Sequence, residues 1–212
     1  MDITSPKMEE YIKQMLNNHK RQFDEILTEM EDYAMENKFP IIGPMVGPFL
    51  QQLTISTRAK RVFEMGSGYG YSAMWFAGGI RDGGKIICTD GSPDNGKRAM
   101  EYFKRAGVDD KVEFHIGDAN EIIQKFHEPF DIIYNDIDKE GYPLSFELAI
   151  PKLRKGGMFI TDNVLWSGRI FDDEPTESTK GIIEFNRMLF SSEDVISTII
   201  PIRDGLGIAV KL

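Results

Sequence analysis

Two sets of residues have the types and spacings that chemistry needs. The first is Arg61–Ala77, RVFEMGSGYGYSAMWFA. It reads as a short apolar strand ending at Glu64, a turn with glycines at Gly66, Gly68 and Gly70, and a helix opening near Tyr71–Ser72. Glycines between a strand and a helix let a ligand approach the backbone closely. The second set is a series of oxygen donors at the ends of later apolar runs. Asp90 closes IICTDGS, Asp136 lies in YNDIDKEGY, and Asp162–Asn163 lie in ITDNVLWSG. Asp90, at the tip of a second strand, could accept hydrogen bonds from both hydroxyls of a ribose, or serve as a plain turn residue. Asp136, Asp162 and Asn163 bring neither sulfur nor imidazole, which suits a hard cation such as Mg2+ or Ca2+. Asp162 and Asn163 are adjacent, so they converge on one ion only if their strand ends there.

The ligand of the glycine turn follows from register. A dinucleotide site wants G-x-G-x-x-G with pyrophosphate over the helix N-terminus. Gly66 and Gly68 fit, but the third position is Tyr71 and the glycine sits one place early, at Gly70. The run Glu64–Ser72 is E-x-G-x-G-x-G-x-S. This resembles motif I of S-adenosylmethionine (SAM)-dependent methyltransferases. The resemblance implies that Glu64 faces the methionine end of SAM and that Gly66, Ser67, Gly68 and Ser72 help hold it. It places Gly117–Asp118–Ala119 by the adenine, where Asp118 could accept from the amino group. Asp118 as a helix N-cap is the alternative, and both can hold.

Further motifs sharpen the resemblance. D-x-D-K with a later tyrosine (Asp136–Lys139, Tyr142), L-R-x-G-G (Leu153–Gly157) and D-N-x-L-W-x-G (Asp162–Gly168) follow in order. Together with Glu64–Ser72 they resemble the cation-dependent O-methyltransferases, the group containing catechol and caffeoyl-CoA O-methyltransferases. By that resemblance Asp136, Asp162 and Asn163 are the metal ligands, Asp136 also borders the cofactor, and Lys139 is the catalytic lysine. Val46–Gly47 falls in a segment near the cofactor, although MVGPFL lacks the charged or amide residue many relatives carry there. The implied cofactors are SAM and a divalent cation, Mg2+ first, with Ca2+ or Mn2+ as alternatives. The implied reaction is O-methylation of a vicinal hydroxyl on a small catechol-like or phenolic substrate, by a homodimer. Alternatives are a tRNA hydroxyuridine O-methyltransferase, an NAD-dependent oxidoreductase, and a cofactor-binding protein without catalysis.

The elements that must position these residues alternate. Strands are expected at Arg61–Met65, Lys85–Thr89, Lys111–Ile116, Phe130–Asn135 and Gly157–Thr161, and helices at Ser72–Ile80, Asp94–Ala106, Asn120–Phe126, Pro143–Leu153 and Thr179–Phe190. Apolar strands alternating with helices predict a parallel sheet covered on both faces. Val195–Ile202 and Leu206–Leu212, joined by Arg203–Asp204–Gly205, read as a closing antiparallel hairpin. The expected fold is α/β: a doubly wound, mostly parallel seven-stranded sheet with a C-terminal antiparallel hairpin, Rossmann-like, with N-terminal helices added. Met8–Asn37 carries helical apolar periodicity, with a possible break at Asn17–Arg21 and Ser5–Pro6 as cap and first turn. Phe39–Pro48 reads as a Pro/Gly-punctuated loop and Phe49–Ile55 as a short helix. Residues 1–212 are read as one domain, with 1–55 a helical and loop extension and 56–212 the core.

Composition bounds the rest. A net charge of -9 disfavours a nucleic-acid footprint, which needs basic patches. Lys7, Lys13, Lys20 and Arg21 could form a local one. The single cysteine, Cys88, excludes an intramolecular disulfide and suits a reduced, cytoplasmic setting. No signal peptide or spanning apolar run is present, so neither export nor a membrane partner is expected. His19, His115 and His127 show no triad or metal spacing. Substrate choice falls to Met1–Asn37, Ile41–Pro48 and Trp166–Glu177, where Trp166 and Phe171 could stack on a ring or anchor the loop.

Overall fold

The computed structural model describes residues 6–17 and 21–212. Seven strands form one sheet in the order β3-β2-β1-β4-β5-β7-β6. They are β1 Arg61–Met65, β2 Lys85–Asp90, β3 Val112–Ile116, β4 Phe130–Asn135, β5 Leu153–Thr161, β6 Val195–Ile200 and β7 Leu206–Lys211. The first five pair in parallel, and β7 pairs antiparallel to both β5 and β6. Strand order reverses at β1, so the carboxyl ends of β1–β5 open a crevice there.

Side-chain alternation builds one core on each face of the sheet. Val62, Ile132, Ile160 and Ile208 face one side, with helices α2 (Asp24–Asn37), α3 (Gly43–Ser56), α4 (Tyr71–Gly79) and α5 (Pro93–Ala106). Phe63, Ile133, Phe159 and Ala209 face the other, with α6 (Ala119–Ile123), α7 (Tyr142–Ala149) and α8 (Glu177–Ser191). Helix ends follow local chemistry. Ser92 caps α5 by accepting from Asn95 N–H at 3.3 Å, and Gly107, at φ 66°, closes it in the left-handed region.

The N-terminal region differs most from the expectation. Helix α1 (Pro6–Asn17) and α2 are separate, which bears out the suspected break, although residues 18–20 lie outside the described set. Ser5 as a cap, His19 and Lys20 also lie outside it. Phe39–Pro48 is not a loop throughout, because α3 begins at Gly43 and runs through Pro48. Pro44 occupies the first helical turn, where no N–H is needed, and Pro48 deprives only that same turn's carbonyl of a partner. Burial of Val46, Gly47 and Leu50 outweighs the poor propensity of the segment. From Asp24 onward the N-terminal stretch shares the sheet's core, through Leu27, Met30, Val46 and Leu50.

Other differences are local. Helix α7 stops at Ala149 and a single 3-10 turn carries Pro151, so β5 starts at Leu153 instead of Gly157. Strand β6 ends at Ile200 because Pro201 cannot donate to the ladder. Helix α6 ends at Ile123, short of Phe126. Among the described residues no helix is long and apolar enough to cross a membrane.

Candidate active site

A cavity of about 900 Å³ opens at the carboxyl ends of the five parallel strands. That volume suits a nucleoside-sized ligand together with a small partner. Gly66, Ser67, Gly68, Ser72, Asp90, Gly117, Asp118, Ala119, Asp136, Lys139, Asp162 and Asn163 all line it. Val46 and Glu64 do not. Val46 is fully buried in α3, and a Cβ on the adjacent Gly47 would meet the indole of Trp75, so this segment packs on α4. The wall expected there is supplied a few residues earlier, by Phe39, Pro40, Ile41 and Ile42.

The glycine turn is stitched to β2. Ser67 N–H donates to Thr89 O at 2.7 Å, and Gly68 N–H to Asp90 Oδ2 at 2.9 Å. Asp90 Oδ1 accepts from Ser92 N–H at 2.8 Å and Asn95 Nδ2 at 3.0 Å. A carboxylate has about four acceptor positions, so Asp90 braces the turn and still has room for a ligand hydroxyl. Gly66, Gly68 and Gly70 all have positive φ, from 50° to 89°, which favours glycine at each. Glu64 lies under the turn with no solvent exposure, and among the described residues neither carboxylate oxygen has a hydrogen-bond partner. Burial pushes its pKa up to about 7, against the opposing pull of nearby Ser67, Ser72 and Cys88. Asp118 caps α6 by accepting from Asn120 N–H at 2.7 Å while lining the cavity, so the capping alternative holds.

The other end of the cavity is built by β4, β5 and the segments after them. Lys139 Nζ donates to Asp136 Oδ1 at 2.8 Å, Ile137 O at 3.2 Å and Tyr142 Oη at 2.8 Å. Tyr142 Oη in turn donates to Asp162 O at 3.0 Å, so one tyrosine ties the lysine to the end of β5. Burial raises the pKa of Asp136, and the Lys139 charge and hydrogen bond oppose it, with Arg203 adding to the opposition. The Asp136 side chain keeps 28 % of its surface open. Burial also raises Asp162, and the Asp136 charge raises it further. Strand β5 ends at Thr161, and Asn163 takes φ 60°. This reversal is what lets adjacent Asp162 and Asn163 line the same cavity.

Further lining residues are Trp166, from the D-N-x-L-W-x-G motif, Tyr71, from the glycine-turn run, and Arg203, which no motif marked. Trp166 lines the cavity, with Lys139 Nζ 5.8 Å from its ring. Phe171 does not line it and is 80 % exposed. Tyr71 lines it and donates to Glu31 on α2 at 2.6 Å, which puts the N-terminal helices over the glycine turn. Arg203, read only as part of a hairpin loop, reaches the cavity from the β6–β7 turn.

A family model described as O-methyltransferase matches residues 17–212. The chain belongs to the O-methyltransferase family. It is 32% identical over 179 residues to a catechol O-methyltransferase of Niastella koreensis, covering 80% of this chain and 81% of that one. It is 29% identical to a caffeoyl-CoA O-methyltransferase of Medicago sativa, covering 89% of this chain and 82% of that one. An O-methyltransferase from Bacillus cereus in complex with SAH superposes with a TM-score of 0.87 at 28% identity, over 95% of this chain and 97% of the other. One from Streptomyces achromogenes involved in tomaymycin synthesis, in complex with SAM, gives 0.87 at 27%, over 97% and 96%. This O-methyltransferase is therefore a SAM-dependent enzyme of the class I methyltransferase fold, which sets aside the dinucleotide and non-catalytic alternatives.

Proposed function

We propose that this O-methyltransferase methylates one hydroxyl of a small vicinal aromatic diol, with a divalent cation held by Asp136, Asp162 and Asn163. The observation that carries the reading is the placement of Lys139, hydrogen-bonded to Asp136 at 2.8 Å in the cavity that Asp162 and Asn163 also line. Among the described residues no group of three or more His, Cys, Asp or Glu side chains is gathered for a metal. The donor set is instead two carboxylates and an amide. The carboxylates repel one another strongly enough for the Asp136 charge to raise Asp162, a tension a cation relieves. Asn163 directs Nδ2 to Asp204 Oδ2 at 3.4 Å, which leaves its amide oxygen as the free acceptor. These residues fit a hard cation. When bound, such an ion polarises the diol and lowers the pKa of its hydroxyl.

The chain's own residues supply the remainder. The glycine turn, with Asp90 and Gly117–Ala119, holds the methyl donor, so the two reactants meet as one bound pair. Lys139 Nζ is the proton-handling atom. As an amine it takes the hydroxyl proton, and as an ammonium it hydrogen-bonds the oxyanion until the methyl group arrives. Tyr142 and the carbonyl of Ile137 hold Nζ in place. Trp166 and Ile41 offer flat apolar surface to an aromatic ring. The printed activities of the catechol and caffeoyl-CoA relatives support this substrate class. A tRNA acceptor is less favoured, because Arg21 of the basic cluster is spent on Asp24 and Glu31, both at 2.6 Å.

The test is transfer of a radiolabelled methyl group from SAM to catechol, with and without EDTA. Turnover that EDTA abolishes and Mg2+ restores is expected. Full activity in chelator, or turnover only with tRNA, would overturn the reading.

A further inference from the structure

We propose that Arg203 selects acceptors whose ring carries a carboxylate on an arm directed away from the reacting diol. The inference rests on the diol-methylating reading above and names a substrate class within it.

The backbone at Arg203 is held in a state that needs a reason. Its φ of 51° lies in the left-handed region, which is strained for a non-glycine residue. Asn163 at 60° and Trp166 at 48° share that region and line the same cavity, and Ser167 at 53° adjoins them. Non-glycine residues held this way cluster at functional sites when the surroundings over-determine them. Here the surroundings are hydrogen bonds between the β6–β7 turn and the chain after β5. Leu165 N–H donates to Asp204 O at 2.9 Å and Val164 N–H to Gly205 O at 3.1 Å. The Asp204 carboxylate accepts from Ser167 N–H and from Asn163 Nδ2. Arg203 is therefore mounted on the same braced corner as Asp162 and Asn163.

Its side chain is only partly used. Nη1 donates to Ile41 O at 2.8 Å, and among the described residues Nε and Nη2 have no acceptor and no carboxylate pairs with the guanidinium. The two cationic side chains lining the cavity are Lys139 and Arg203, and Lys139 is committed to Asp136. The Arg203 charge is felt at both Asp136 and Asp162, where it favours the ionised form. Once a divalent cation balances those two carboxylates, the positive charge of Arg203 is left without a counterpart at the mouth. A planar guanidinium with free donors is matched by a carboxylate, which accepts two parallel hydrogen bonds. A cationic arm is repelled, and a neutral arm gains nothing from the charge.

The experiment compares caffeate with its amide and 3,4-dihydroxybenzoate with its amide, using wild type, Arg203→Gln and Arg203→Lys with SAM and Mg2+. Wild type is expected to favour each acid over its amide by about tenfold or more in kcat/KM, equivalent to about 1.4 kcal/mol. Arg203→Gln should bring the ratio to about one, through KM for the acid, and Arg203→Lys should keep part of it. The ratio is internal to each preparation, so partial loss of folded protein cancels. Calorimetric titration of 3,4-dihydroxybenzoate into SAH-loaded protein should show the same order without turnover. An acid-to-amide ratio that Arg203→Gln leaves at the wild-type value, or wild type with no preference, overturns the proposal while diol methylation stands. No turnover of catechol, acids or amides overturns the underlying reading and this inference with it.

Discussion

A Cβ on Gly66 would lie 2.5 Å from the carbonyl oxygen of Asp136. The first glycine of the turn and the first carboxylate of the Asp136–Asn163 group are thus in backbone contact, and Asp136 N–H donates to Met65 O at 2.8 Å beside them. The two halves of the site share one seam between β1 and β4.

Gly66→Ala should injure both halves. The residue has φ 82°, and the added methyl group must displace backbone at Asp136–Ile137, just past β4. Left-handed strain alone is worth roughly 1–2 kcal/mol. We expect the Kd for SAH to rise at least tenfold and methyl transfer to fall further, read by calorimetry and a labelled-methyl assay. A Kd within a factor of about two of wild type would contradict the seam.

Lys139→Ala should retain SAH binding and lose methyl transfer. Tyr142→Phe should reproduce part of that loss, because it removes the acceptor at 2.8 Å and the link to Asp162 O at 3.0 Å. A fall in kcat of about 10- to 100-fold with little change in the Kd for SAH is expected, the scale of a mispositioned proton-transfer group. A shift in the pH dependence of kcat should accompany it. An unchanged pH profile would show that Tyr142 serves packing alone.

Gly181→Ala separates helix propensity from site geometry. Alanine in the middle of α8 ordinarily gains up to about 1 kcal/mol over glycine. Here its methyl group would run into the carbonyl of Lys139, because α8 lies directly against the Lys139–Gly141 turn. We expect kcat to drop while SAH binding holds. Wild-type turnover in a more stable protein would mean the turn gives way freely.

Glu64 predicts a pH dependence of stability. Its pKa is about 7 in the folded chain and near 4.5 when exposed. Between these values the folded state holds the proton and the unfolded state does not. Stability contributed by the protonated form is thus complete below about pH 4.5 and is lost as pH rises through about 7. Glu64→Gln should raise the Tm of the ligand-free protein at pH 8 and change it less at pH 5, at roughly 2–4 °C per kcal/mol for a chain of this size. Equal Tm differences at the two pH values would refute the shift.

Much of this was legible along the chain because it is local. The glycine turn declares itself through three glycines at alternate positions between a strand and a helix, and all three take positive φ. Short continuous apolar runs marked the strands. What is not local was not legible. Gly47 and Pro48 looked like loop residues, yet both lie in α3, where Gly47 packs against Trp75. Val46 is buried in the core and does not line the cavity, whereas Phe39–Ile42 do.

The sequence by itself determined the alternation of strands and helices, the glycine turn and which carboxylates end the strands, since each depends on residues near one another in the chain. Tertiary structure alone decided which strand ends share a cavity and that α8 presses on the Lys139 turn. It also decided that Arg203, which follows Ile41 by a long stretch of chain, donates to that carbonyl at 2.8 Å. Those contacts arise because β7 inserts between β5 and β6, and no spacing along the chain encodes which edge a returning hairpin will join.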